Sequence, residues 1–397
     1  MQNSTTSLDK RTTLDREKAL QELERLRSEG EALLPVKISP RYKKLLQNER
    51  EALGREDGPL HCVAYPKQER LETFVAGEVQ NFVMDTEHMP AGLENILVHR
   101  YPAKALFLAT CECLGHCQYC FRPDIAGKDH NSNTVSDNLS QDKIQNVVNY
   151  LQKNPQIQEI IFSGGDPLVC PIEKIENAVQ QFLSVPSVKY CRLHTRAPAY
   201  ATHTLSDRFI SMVEKHDIKV VFHLVHPYEL DAEAALPIRK MRRKGIMMYN
   251  QFPLIRGVND HPAVIMELGY RCVEAGVQPL SLFIADPIKY GAVYRTRLQR
   301  VFDIADEVFF NAEAWISNIR VCQDTEIGKV QREHISSHNQ EKDQYTFTRQ
   351  GRSITYQDIP KALDQPTSLQ QLLYQGSKHL YLELWPDKFS HPNSADS

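Results

Sequence analysis

The strongest constraint on the fold is a repeated alternation between short apolar runs and longer amphipathic stretches, which begins near residue 104. Runs of about four to eight apolar residues are typical of buried strands, whereas the stretches between them have the apolar spacing of helices. Strands and helices that alternate in this way form consecutive βα units around a parallel sheet. Six such strands are predicted, in the segments KALFLAT, IQEIIF, VKYCRLHTR, KVVFHLVHP, IMMYNQFP and QPLSLFIAD.

The sequence therefore predicts an α/β protein whose centre is a partial (β/α)6 barrel at residues 99–312. In such barrels the chemistry lies at the C-terminal ends of the strands. Residues 1–98 are predicted to be an N-terminal helical extension, because EKALQELERLRSEGEALL has helical apolar spacing and i,i+4 charge pairs. A small C-terminal β-containing segment is predicted at 313–385, with a β-hairpin that turns at Gly351. Residues 386–397 are expected to form a disordered tail.

Composition excludes several classes of function. The net charge of the 397 residues is −3, so no overall basic field favours nucleic acid or an anionic membrane. No stretch approaches the ~20 consecutive apolar residues of a transmembrane helix. The N-terminus lacks the apolar core of a secretory signal, so a cytoplasmic location is expected.

The cysteines carry the first chemical signal. Four of the nine cysteines lie between Cys111 and Cys120, and CLGHCQYC spaces Cys113, Cys117 and Cys120 as C-x3-C-x2-C directly after a predicted strand. Three thiolates can hold three irons of a [4Fe–4S] cluster and leave the fourth iron open to a small ligand. A zinc site that recruits His116 or Cys111, and a set of cysteines without metal, are the alternatives.

Polar residues follow the later strands at the points where these strands end. SGGD follows the second predicted strand, HTR ends the third and HLVHP ends the fourth, while Asn250, Gln251 and Asp286 lie at or near the ends of the last two. Glycines allow a backbone to approach a ligand closely, and Asp166 can accept a hydrogen bond from a cationic amino group. These side chains are predicted to line one mouth of the barrel.

Several segments in the same order resemble the lysine 2,3-aminomutases of the radical S-adenosylmethionine (SAM) superfamily. The resemblance implies a radical SAM barrel, in which SAM bound to the cluster yields a 5′-deoxyadenosyl radical. It also implies pyridoxal phosphate (PLP) as a second cofactor and migration of an amino group between adjacent carbons of an amino acid. The matching segments are HRYPAK (99–104), CLGHCQYCFR (113–122), FSGGDPLV (162–169), TRAP (195–198), HLVHP (223–227), NQFPLIRGVND (250–260) and the pair Gly328-Lys329.

The resemblance assigns roles to residues of this chain. It implies that Cys113, Cys117 and Cys120 bind the cluster. Six further residues lie where the family contacts SAM or groups beside it, namely Gly164, Gly165, Asp166, Arg196, His223 and Gln251.

The PLP and substrate positions are also implied by the resemblance. Lys329 lies at the lysine to which PLP is covalently attached, Arg122 at the arginine that binds the substrate carboxylate, and Asp286 at one of two carboxylates that recognise the side-chain amine of lysine. Three residues lie where the family contacts PLP, namely Arg100, Tyr101 and Lys104.

The chain departs from the family at positions that concern the cofactor and the substrate. Only Gly328 remains of the glycines that precede the lysine, and Glu326 adds a negative charge that opposes a phosphate. Cys322 stands at the position of the second carboxylate. Three hypotheses therefore stay open: a PLP-dependent 2,3-aminomutase of a free amino acid, a PLP-independent radical SAM enzyme that dehydrogenates, epimerises or fragments an amino-acid-like substrate, and a non-catalytic iron–sulfur or zinc protein. A flavodoxin or ferredoxin reductant and a homo-oligomer are the expected partners.

Overall fold

The computed structural model describes residues 5–126 and 138–373. The expected disordered tail at 386–397 lies outside these residues. No helix in the described part of the chain is long and apolar enough to cross a membrane.

The core of the described structure is one sheet of nine strands that follow each other in chain order. Strands β2 to β8 are parallel, and the edge strands β1 and β9 run antiparallel to their neighbours. All six predicted strands are present as β2 to β7, and β8 adds a seventh parallel strand. The strands are β1 Leu97–Tyr101, β2 Lys104–Thr110, β3 Glu159–Gly164, β4 Tyr190–Thr195, β5 Lys219–Phe222, β6 Met248–Pro253, β7 Gln278–Phe283, β8 Arg320–Thr325 and β9 Gly328–Val330.

The sheet curls until its two ends approach each other. The hydroxyl of Tyr101, on β1, donates a hydrogen bond to Oδ1 of Asp324, on β8, at 3.0 Å. The α/β fold with a nearly closed, mostly parallel barrel is therefore confirmed. The predicted domain boundaries stay predictions, although β8, from the segment 313–385, pairs directly with β7 of the barrel.

Helices connect the strands and bury one face each. In α9, for example, the buried residues Phe209, Ile210, Met212 and Val213 recur at helical spacing, and the Ser206 hydroxyl accepts a hydrogen bond from the backbone N–H of Phe209. The helices are α1 Thr5–Ser28, α2 Pro40–Leu53, α3 Pro59–Ala64, α4 Gln68–Glu72, α5 Pro123–Ala126, α6 Gln141–Lys153, α7 Ile172–Leu183, α8 Ala197–Tyr200, α9 Asp207–Lys215, α10 Ala232–Arg243, α11 Pro262–Ala275, α12 Leu298–Asn311, α13 Ala314–Ser317 and α14 Leu369–Leu372.

A second, three-stranded sheet follows the barrel. It contains the predicted hairpin, whose strands pair antiparallel from Gln344↔Gln357 to Arg349↔Arg352. The turn consists of Gln350 and Gly351, which both have positive φ angles of 51° and 73°. Two successive residues with positive φ form the type I′ turn that suits the twist of a hairpin. The strands are β10 Ile335–Asn339, β11 Gln344–Arg349 and β12 Arg352–Gln357.

Two phenylalanine substitutions, one in the barrel core and one on the surface, should differ strongly in their effect on the free energy of unfolding. Phe107 on β2 is fully buried, with ring centroids 5.4 Å from Phe162 and 5.1 Å from Phe182. Phe107→Ala should lower the free energy of unfolding by about 3–5 kcal/mol, because it leaves a cavity in this cluster. Phe309→Ala, whose side chain is 72% exposed, should change it by less than about 0.5 kcal/mol. Equal urea midpoints for the two variants would contradict this assignment of the core.

Candidate active site

A cavity of about 400 Å³ opens at the C-terminal ends of the barrel strands. Every residue to which the sequence assigned a site role lines it, although the role of each stays a prediction. These are Arg100, Tyr101, Lys104, Cys113, Cys117, Cys120, Arg122, Gly164, Gly165, Asp166, Arg196, His223, Gln251, Asp286 and Lys329.

The glycine turn after β3 holds the first half of the cysteine loop. The backbone N–H of Gly165 donates to the carbonyl of Thr110, and that of Asp166 donates to the carbonyl of Glu112, both at 2.7 Å. A Cβ atom on Gly165 would lie 2.0 Å from the carbonyl oxygen of Glu112, and one on Gly164 would lie 2.2 Å from that of Thr110. Glycine is therefore needed at these two positions because any side chain would collide with the backbone at the start of the cysteine loop. This explains the glycines more directly than the close approach of a ligand does.

The N-terminal extension holds the second half of the same loop. The N–H of His116 donates to the carbonyl of Lys37 at 2.9 Å, and the N–H of Gln118 donates to that of Val63 at 2.8 Å. A side-chain hydrogen bond from Arg70 to Gln118 adds to these contacts. The extension is therefore a wall of the site, which sequence analysis did not foresee, because backbone contacts between distant segments leave no pattern in side-chain types.

The three cysteines are close enough to influence each other. Burial raises the pKa of Cys113 well above its usual value, and the neighbouring Cys120, Asp166 and Cys117 raise it further. Burial also raises the pKa of Cys120 to about 12. A positively charged iron centre would relieve this cost, since metal ligation stabilises thiolates.

No three His, Cys, Asp or Glu side chains converge as ligands of a single ion anywhere in the described residues. Each thiolate of a cubane binds a different iron, so cluster ligands do not need to meet at one point. The donor set of three thiols in one cavity thus fits a [4Fe–4S] cluster with one open iron.

Asp166 connects the ends of β3 and β4. Its carboxylate accepts hydrogen bonds from the N–H of Leu168 at 3.0 Å, the hydroxyl of Thr195 at 2.9 Å and the N–H of Arg196 at 2.7 Å. The carboxylate thus fixes the backbone at both strand ends. Its direct contact with the amino group of SAM stays a prediction.

Arg196 presents one unpaired donor in a buried setting. Its Nη2 donates to Glu229 at 2.5 Å and its Nη1 to the carbonyl of His223 at 3.0 Å, while its Nε is buried and has no partner in the described structure.

Burial lowers the pKa of both His194 and His223 well below the usual value, so both rings are neutral. Neutral imidazoles and an unpaired N–H suit a polar ligand such as SAM.

A group of charged side chains in the cavity lining includes Lys329. Its Nζ donates to Oδ2 of Asp324 at 2.6 Å and lies 4.2 Å from the centre of the Phe283 ring. Burial alone would raise the pKa of Asp324, but the charge and hydrogen bond of Lys329, together with Arg100 and Tyr101, outweigh burial and lower this pKa. Arg100 lies beside this pair, and its Nε and Nη2 are buried without a partner in the described structure. Burial and the neighbouring Arg192 lower the pKa of Lys104.

The predicted substrate residues Arg122 and Asp286 have different partners. Nε of Arg122 donates to Oδ2 of the buried Asp85 at 2.5 Å, which fixes the orientation of the guanidinium plane. Burial, reinforced by the charge of Asp324, raises the pKa of Asp286 to about 8. Asp286 is therefore mostly protonated at neutral pH and is not a fixed negative charge.

Several functional neighbours were missed from the sequence. Asp85 lies in a segment with no clear periodicity, and no motif points to it. Glu229 and Tyr119 lie within or just after segments already singled out, HLVHP and CLGHCQYC, so the extended segments could have signalled them. The hydroxyl of Tyr119 forms a hydrogen bond with Nε2 of His223 at 3.0 Å.

The family comparison matches this geometry. The model of the radical SAM superfamily matches residues 108–268, which run from the end of β2 through the cysteine loop to α11. This region is a radical SAM domain. The match covers less than half of the chain, and the region that it covers contains all three cysteines of the loop.

Curated relatives confirm the resemblance to the lysine 2,3-aminomutases. The L-lysine 2,3-aminomutase of Methanococcus maripaludis is 28% identical over 278 residues, which cover 70% of this chain and 61% of the relative. The enzyme of the same name from Clostridium subterminale is 27% identical over 254 residues, which cover 64% of this chain and 58% of the relative. The chain thus matches less than two thirds of the length of these relatives and is similar to them at modest identity.

Among solved structures, the chain is similar to a radical SAM methyltransferase from Sphaerobacter thermophilus, with a TM-score of 0.39, 15% identity and coverage of 57% of this chain and 67% of that one. This similarity is too low to support an assignment of the fold, which rests on the strand order instead.

Replacement of Cys117 by Ala should abolish cluster assembly, since two thiolates remain for three irons. Iron and sulfide content after anaerobic reconstitution measures the effect. Cys191→Ala is the matched control, because Cys191 is buried on β4 and does not line the cavity. Full iron content in the Cys117→Ala protein would remove Cys117 from the ligand set.

The raised pKa of Asp286 predicts that the free energy of unfolding depends on pH. Its pKa rises from 3.8 to about 8 on folding, so its contribution to stability is present below pH 3.8 and is lost as the pH rises through about 8. Between these values the wild type should lose stability relative to Asp286→Asn, which cannot ionise. Urea unfolding at several pH values measures the difference, with Asp303→Asn, an exposed position on α12, as the control. Parallel pH profiles for wild type and Asp286→Asn would show that Asp286 is not perturbed.

Proposed function

We propose that the protein is a PLP-dependent radical SAM aminomutase that moves the α-amino group of a free amino acid to its β-carbon. The observation that carries the proposal is the position of Lys329, whose side chain enters the same cavity as the three cysteines. The names of the curated relatives support the same reaction class. Bound in this cavity, the cluster and SAM would supply a 5′-deoxyadenosyl radical that removes a hydrogen atom from the substrate.

The residues around Lys329 fit PLP. The unpaired N–H groups of Arg100 can donate to a phosphate or phenolate oxygen, and Lys104 adds positive charge on the same side. Phe283 offers an apolar ring beside Nζ of Lys329. PLP held there would supply a conjugated system able to stabilise an unpaired electron next to the migrating nitrogen.

The substrate would lie between Arg122 and Asp286. Asp85 holds the Nε edge of Arg122, so a substrate carboxylate would meet the Nη edge of the guanidinium. A protonated Asp286 offers a hydrogen bond to the distal part of the side chain. An ammonium group on the substrate would instead favour ionised Asp286 and would release a proton on binding.

The ion pair of Lys329 with Asp324 favours a second candidate, a PLP-independent radical SAM enzyme that acts on an amino-acid-like substrate. Nζ of Lys329 lies 2.6 Å from the Asp324 carboxylate and would have to leave this partner before it could attack a carbonyl carbon. In that case Lys329 would hold Asp324 in place, and Asp324 would help to join the two ends of the sheet through Tyr101.

Borohydride trapping distinguishes the two candidates without an activity assay. The protein is incubated with PLP, reduced with borohydride, digested and mapped by mass spectrometry. The first candidate predicts a phosphopyridoxyl adduct on Lys329 that is lost in Lys329→Arg. Lys289→Arg, which changes a lysine paired with Glu31 outside the cavity, should leave this adduct in place.

An adduct at Lys329 together with an intact cluster supports the aminomutase. If the protein assembles its cluster and cleaves SAM but gives no adduct at Lys329, the PLP-dependent proposal is wrong and the second candidate stands.

A further inference from the structure

Tyr200 lies against the cysteine loop although no site motif includes it. It ends the short helix α8 and is 1% exposed. Its hydroxyl oxygen is 3.6 Å from Sγ of Cys117 and 3.3 Å from the carbonyl oxygen of His116. A Cβ on Gly115 would lie 2.3 Å from Cδ1 of the Tyr200 ring, so the ring fills the space that this glycine leaves.

Which atom donates in the hydrogen bond between Tyr200 and Cys117 follows from the chemistry of a thiolate that binds iron. A free thiol could donate its S–H to the tyrosine oxygen, but a thiolate bound to iron has no proton to give. The tyrosine O–H then becomes the only possible donor between the two atoms, and it can be shared with the carbonyl of His116. Hydrogen bonds to cluster sulfurs stabilise the more negative, reduced state and so raise the reduction potential.

We infer that Tyr200 is a positioning residue of the cluster, whose hydroxyl donates a hydrogen bond to the Cys117 thiolate and raises the reduction potential of the cluster. The inference rests on the proposed ligation of iron by Cys117. It assigns to Tyr200 a role in the electron-transfer step that starts SAM cleavage.

The N-terminal extension holds Tyr200 in this position. The Tyr200 ring stacks on Tyr42 of α2, with centroids 4.7 Å apart, and the hydroxyl of Tyr42 donates to Glu229 at 3.2 Å. Nε of Arg41, also on α2, donates to the carbonyl of Pro198 at 3.0 Å, and Arg196 lies 5.2 Å from the Tyr200 ring centre. The ring of Tyr200 is thus packed against Tyr42 and Arg196, which restrains the position of its hydroxyl next to the sulfur.

Tyr200→Phe tests the inference, because it keeps the ring and removes only the hydroxyl. The midpoint potential of the reconstituted cluster is measured by redox titration followed by electron paramagnetic resonance. The inference predicts a more negative midpoint potential than in wild type at equal iron content. It also predicts the loss of one exchangeable proton coupling in electron–nuclear double resonance spectra compared between H2O and D2O.

Tyr42→Phe is the matched control. It removes a neighbouring buried hydroxyl that contacts Glu229 and no sulfur, so the midpoint potential should stay at the wild-type value. A wild-type potential and an unchanged proton coupling in Tyr200→Phe would overturn the inference, as would an equal shift in Tyr42→Phe. Wild-type protein that binds no cluster would instead refute the ligand assignment, so the two failures are distinguishable.

Discussion

The site depends on how the loop from Cys111 to Cys120 is held from two sides. The N–H groups of Gly165 and Asp166 donate to the carbonyl directly before the loop and to the carbonyl of Glu112 within it. The carbonyl groups of Lys37 and Val63 accept hydrogen bonds from N–H groups in its second half. These hydrogen bonds come from the barrel and from the N-terminal extension, so the loop is fixed only when both are folded. A cluster with three thiolate ligands needs this preorganisation, because its fourth iron must stay open and cannot contribute to holding the loop.

The barrel and the cavity lining could be predicted because they follow from side-chain patterns. Apolar runs marked β2 to β7, and parallel strands bring their C-terminal ends together, so residues as distant as Cys113 and Asp286 share one cavity. The seventh parallel strand, β8, is not among the six predicted strands, since its sequence RVCQDT mixes apolar and polar residues. Closure of the barrel by Tyr101 and Asp324 could not be predicted, because register and curvature decide that contact.

The N-terminal extension shows the limit of sequence reasoning most clearly. Its helices were predicted from apolar spacing, but the spacing alone suggests only a cap or an oligomer surface. The contacts that matter are backbone carbonyls and the stacked pair Tyr42 and Tyr200, and neither type has a sequence signature. The charge state of the lining was also hidden: burial keeps His194 and His223 neutral, while Lys329 and Asp324 form an ion pair in the same cavity.

Reductive cleavage of SAM in this cavity is tested most directly by product formation from SAM itself. Anaerobically reconstituted protein is incubated with SAM and dithionite, and 5′-deoxyadenosine and methionine are quantified by liquid chromatography with mass spectrometry. The account predicts that both products form in equal amounts and only when the cluster is present. A protein that carries a complete, reducible cluster but neither binds nor cleaves SAM would contradict it.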